Sequence, residues 1–214
     1  MNSKMPRKIN SKRVLWPIGL ALALASMAAT GARAQTPQPL PQRLSGLLND
    51  YTPSNVKPMG PYEMRGSWSL VLTNESRNAT FSAVWNMELS DHGILEGLAS
   101  VDDPGTRAPH THHITMTGDV SRDTSSCPAN SPATTNPGFM VKGMAHVVAN
   151  GAPAPFSKNE TVLSPLQVCI SGGSEVSLSN VTLVFSPPAS SHFGPQAIHG
   201  VVRKVQFTND GDNQ

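Results

Sequence analysis

Phe81, Ala83, Trp85, Met87 and Leu89 alternate with Ser82, Asn86 and Glu88, and this alternation constrains the fold more than any other feature of the chain. Successive side chains of a β-strand point to opposite faces, so period-two patterning buries one face and wets the other. Trp68, Leu70 and Leu72 repeat the pattern against Ser67, Ser69 and Thr73. The polar run from Asn74 to Asn78 separates the two stretches and predicts a hairpin of 66–73 with 79–89.

Similar strands are expected over 110–118, 138–148, 161–170, 175–185 and 197–207. Gly172-Gly173 reads as a short hairpin turn between two of them. Pro165 lacks an N–H and demotes its strand to an edge, or places a bulge there. Val176 and Leu178 occupy even positions whereas Val181, Leu183 and Phe185 are odd, which predicts a bulge near Ser179-Asn180. No stretch beyond the N-terminal region keeps a 3.6-residue apolar period for three turns. Only 14% of residues are charged, which excludes a coiled coil and argues against a helical bundle. The expected fold class is all-β: a single antiparallel up-and-down barrel of about seven to eight strands, with a β-sandwich as the alternative.

Gly66-Ser67-Trp68 opens an early strand, and Arg203 shares a face of the last strand with Val201, Val205 and Phe207. This resembles the calycin (lipocalin-like) arrangement, in which a G-x-W near the first strand is covered by a basic side chain from the last. The resemblance rests on those four residues. It implies a barrel in which Arg203 packs over Trp68. Trp68, Phe81, Trp85, Met87 and Arg203 would then line an interior suited to a small apolar ligand.

Residues 4–13 hold Lys4, Arg7, Lys8, Lys12 and Arg13 with no acid, followed by an apolar stretch from Val14 to about Ala29 and by Ala32-Arg33-Ala34. This is the layout of a secretory signal peptide over residues 1–34, with cleavage expected before Gln35 and a secreted or periplasmic product. The apolar stretch falls short of the ~20 residues of a bilayer span, and no membrane span is expected after cleavage. Six of the 16 basic residues and none of the 14 acidic ones lie in that segment, so the remainder carries ten against fourteen, a net −4. Without a basic patch, nucleic acid is not an expected partner. Residues 35–61 contain six prolines and read as an extended leader, in which Leu44, Leu47 and Leu48 fit one docked helical turn. The all-β domain is expected over 62–208 and a flexible tail over 209–214.

Cys127 and Cys169 are the two cysteines, and an even count in an exported chain predicts one disulfide, with two inert thiols as the alternative. All seven histidines follow the signal-like segment. His110 and His112 fall on one face of a strand, and imidazoles at i and i+2 can share a zinc or copper ion ~2.0–2.1 Å from each nitrogen. Further ligands are to be sought among His146, His199, His192 and Asp119, with His199 and His146 favoured. Solvated or hydrogen-bonded imidazoles are the alternative. His192-Phe193-Gly194-Pro195 with His199-Gly200 is faintly similar to a loop of copper–zinc superoxide dismutases. Gly194 stands where that pattern has Asn, and His110-Thr111-His112 is about 80 residues away, so the pattern is not met.

No nucleophile elbow, H-E-x-x-H, phosphate-binding loop or dinucleotide fingerprint occurs. Glu88, Asp91 and Glu96 are the nearest approach to a carboxylate cluster and do not make a glycosidase pair. The expectation is an exported, non-enzymatic binding or structural module holding a small apolar ligand. The alternative is a metal-binding protein or metalloenzyme centred on His110 and His112; an envelope component is a third class.

Overall fold

The computed structural model describes residues 40–52, 62–73, 75, 77–89, 109–128, 138–150, 156, 161–172 and 178–207. Eight antiparallel strands form a closed up-and-down barrel in chain order. They are β1 (Arg43–Tyr51), β2 (Tyr62–Thr73), β3 (Asn78–Leu89), β4 (His110–Ser121), β5 (Phe139–Asn150), β6 (Val162–Ser171), β7 (Asn180–Phe185) and β8 (Ile198–Gln206). A single helical turn, α1 (Ser190–Phe193), lies in the β7–β8 connection. The signal-like segment and the expected tail lie outside the described residues.

The alternation reads directly onto the barrel wall. Met64, Trp68, Leu70 and Leu72 of β2 point inward, as do Phe81, Ala83, Trp85 and Met87 of β3. The hairpin closes with Thr73 opposite Asn78. Outward positions such as Glu63, Arg65, Ser69, Ser82, Asn86 and Glu88 are polar. Apolar inside and polar outside is the reverse of a barrel that spans lipid. Among the described residues no helix is long and apolar enough to cross a membrane.

Arg43–Tyr51 is a strand, where a helical turn in a leader was expected. It pairs with β2 on one side and β8 on the other, and so supplies the strand that closes the barrel. Leu44 and Leu48 face the core. A spacing of four satisfies both the helical and the strand period, and Gly46 between them hides the alternation.

Arg203 is the second correction. It is exposed and does not line the interior. Ser45 pairs with Lys204 and Gly46 with Val202, which leaves Arg203 as the extra residue of a bulge. The bulge reverses the parity, so Val202 rather than Val201 packs on the core. The Trp68 indole N–H donates instead to the Val201 carbonyl at 3.3 Å.

The expected turn at Gly172-Gly173 is also longer than a two-residue hairpin. Ser171 pairs with Asn180, so β7 begins after the parity slip and no bulge within it is needed. Pro165 pairs with Met144 of β5, and its carbonyl accepts from Ser186 N at 3.0 Å, just past the end of β7. The expected edge strand or bulge is thus corrected: β6 pairs with β5 and β7 without a register shift. Pro165 is tolerated because it lies one residue beyond the last pair with β7, Leu166 with Phe185.

Gly66 faces Trp85 across the β2–β3 ladder. A Cβ there would sit 2.0 Å from the Val84 carbonyl oxygen and 2.5 Å from Trp85 Cα. Both are backbone atoms and cannot swing aside. Gly66→Ala should therefore cost about 1–3 kcal/mol, read as a lower urea midpoint; an unchanged midpoint would mean the ladder tolerates the shift.

Candidate metal centre

His110 and His112 occupy inward positions at the start of β4, His110 across from Met87 and His112 across from Trp85. On the β5 side His112 meets Ala149, whose small side chain leaves room for the ring. The third member, His192, comes from α1. Its turn is tied to the wall: Ala189 N donates to Ser164 Oγ of β6 at 3.2 Å, and Gln196 Nε2 donates to Tyr51 O of β1 at 3.4 Å. Gly194 ends α1 at φ 94°, a left-handed conformation that favours glycine.

The three imidazoles are almost fully buried, at 4%, 0% and 2% exposure for His110, His112 and His192. His192 Nε2 lies 3.2 Å from His110 Nε2 and 3.1 Å from His112 Nε2. The ligand atoms of all three are within 4.8 Å of one another. Their surroundings are aromatic. Phe156, Phe193 and Trp85 stand 5.1, 4.8 and 6.1 Å from the His112 ring, and Tyr62 is 5.8 Å from His110.

Loss of hydration in this pocket, followed by the neighbouring imidazoles, lowers the His112 pKa to about 2. Burial and then His110 lower that of His192 to about 3. Both rings are neutral at physiological pH, the form that offers a lone pair to a metal. A neutral ring nitrogen holds either one hydrogen or one lone pair. His192 Nε2 therefore cannot make a full hydrogen bond to both neighbours, whereas one metal ion would accept all three lone pairs. Nitrogens about 2.0–2.1 Å from a tetrahedral centre lie about 3.3–3.4 Å apart, close to the two spacings seen. Nδ1 of His112 and Nδ1 of His192 meet no partner among the described residues.

Of the residues singled out in the sequence, His110 and His112 converge. His146 and His199 do not join them. His146 is on the outward parity of β5 and exposed. His199 faces solvent from β8, where its Nδ1–H donates to Asp50 Oδ2 at 2.9 Å. Asp119 is also outside, accepting from Asn78 Nδ2 at 3.1 Å. The signal that marks His192 is the polar imidazole beside Phe193 in a Pro- and Gly-bounded loop, which is suggestive only once the loop is seen to fold over the barrel end.

Cys127 and Cys169 form a disulfide. Cys169 lies on the outward parity of β6 and is covered by the β4–β5 connection that carries Cys127. Trp68, Phe81, Trp85 and Met87 are inside, each at 3% exposure or less. Trp68 stacks on Phe81 at 6.4 Å, and Trp85 meets Phe193 edge to face at 5.3 Å. Two outer grooves, of ≈ 90 and ≈ 270 Å³, lie around Glu63, Arg65, Asn86 and Glu88 and around Lys142, Pro165, Gln167 and Val184. Compared with protein-family models, curated proteins and solved structures, the chain matches none of them.

Proposed function

We propose that this protein is an exported metal-binding β-barrel that holds one transition-metal ion through His110, His112 and His192. The observation that carries the reading is the meeting of three buried imidazoles, with His192 Nε2 3.2 and 3.1 Å from its two partners, from two elements some 80 residues apart. The export part of the reading rests on the signal-like N-terminus and agrees with the disulfide. Of the two ligand classes considered, the facing imidazoles of His110, His112 and His192 favour an ion over a small apolar molecule.

The test is the metal content of the purified full chain, prepared without chelator and then after incubation with zinc or copper. About one equivalent is expected in the wild type. His112→Ala and His192→Ala should each lower affinity by about tenfold to a hundredfold or more, while His146→Ala and His199→Ala retain the metal. A chain that takes up no ion, or one that loses it equally with His146→Ala, would overturn the proposal.

A further inference from the structure

The preference for one metal follows from what surrounds the three histidines, and the inference rests on the metal-binding reading above. An imidazole ligates a metal in its neutral form, so three of them bring no charge to the ion. The buried polar residues among those described are Thr52, Ser164, Ser171, Thr182 and the three histidines, with no Asp or Glu. A dication would keep its full double charge against aromatic rings. The cost of burying an ion grows with the square of its charge, so a monocation is penalised roughly a quarter as much.

The second observation is the placement of sulfur. Met87 is 0% exposed and stands directly across the ladder from His110. Directly opposed residues of an antiparallel pair have Cβ atoms about 4.5–5.5 Å apart. Met64 pairs with Met87 on its other side and is also fully buried. Soft thioethers select copper(I), whereas zinc is well served by imidazole alone.

We infer that the site is selective for copper(I), bound by His110, His112 and His192 with the Met87 thioether completing its coordination. The apolar pocket suits the singly charged ion, and the sulfur suits its softness. Binding is a ligand exchange with no change of oxidation state when the metal is supplied as copper(I).

The experiment is an anaerobic titration of the full chain against a chromophoric copper(I) chelator, with zinc(II) titrated in parallel. X-ray absorption of the copper-loaded protein is recorded alongside. Copper(I) should bind about a thousandfold tighter than zinc(II), and the absorption fit should require one sulfur with about three nitrogens. Met87→Leu, which conserves volume, should remove the sulfur shell and weaken copper(I) by about tenfold or more while leaving zinc(II) unchanged. Met116→Leu, deeper in the barrel, should change neither. A nitrogen-only shell in the wild type overturns the inference whatever the variants do, and so does zinc(II) binding as tightly as copper(I). Both results leave the metal-binding reading standing, whereas failure to hold either metal overturns both.

Discussion

Acidifying the metal-free protein from pH 7 to about pH 4.5 should remove up to about 5 kcal/mol of its stability. His112 and His192 stay neutral in the fold because burial and the adjoining imidazoles lower their pKa values to about 2 and about 3. In the unfolded chain each takes up a proton below its ordinary value of 6.5. The unfolded state then binds more protons, and stability falls as the pH falls. Stability contributed by these two groups is complete above pH 6.5, declines through the window below it, and levels off near pH 2–3. Each group contributes about 1.4 kcal/mol per pH unit in the window. Two groups over two units reach a large part of the 5–15 kcal/mol typical of a domain.

Urea midpoints at the two pH values measure this. Substituting both rings, His112→Phe with His192→Phe, should flatten most of the dependence, because the two groups with lowered pKa values are then gone. A double variant as acid-sensitive as the wild type would place the sensitivity elsewhere. Bound metal needs the same lone pairs as the protons. Loading the site should therefore stabilise the fold and move the acid transition downward.

Reducing the disulfide should cost about 4 kcal/mol, from the loop entropy that the bond removes from the unfolded chain at a sequence separation of 42. Cys169 is 0% and Cys127 5% exposed, packed with Met140, so reduction should be slow until the β4–β5 connection lifts. The bond staples that connection to the outside of β6. The histidines lie at the other end of the barrel, where β4 starts and β7 ends. The reduced protein should accordingly lose stability without losing metal affinity. Comparing thermal midpoints and metal titrations before and after reduction separates the two. Equal loss of both would show that the staple also organises the site.

Much of the wall was legible because a half-buried strand has a local signature. The strands from β2 to β6 and β8 lie within a few residues of the stretches marked by alternation. The misses share a cause. Leu44 and Leu48 satisfy two periods at once, so β1 read as a helical turn. Arg203 kept odd parity with Val205 on paper, but a bulge intervenes and turns it to water. His110 and His112 were visible as a same-face pair, and their burial follows from facing Trp85 and Met87 across the ladder.

The residues by themselves determined the all-β class, the inward and outward faces of most strands, the pairing of the only two cysteines and the first two ligands of the candidate site. Each follows from short-range chemistry or from a count that allows one answer. Closure of the sheet and the choice of His192 over His146 and His199 were decided by the tertiary structure. Closure depends on β1 meeting both β2 and β8, and the third ligand on a loop that Ser164 and Gln196 hold over the barrel end. Contacts between residues far apart in the chain leave no local pattern, so only the folded path brings those atoms together.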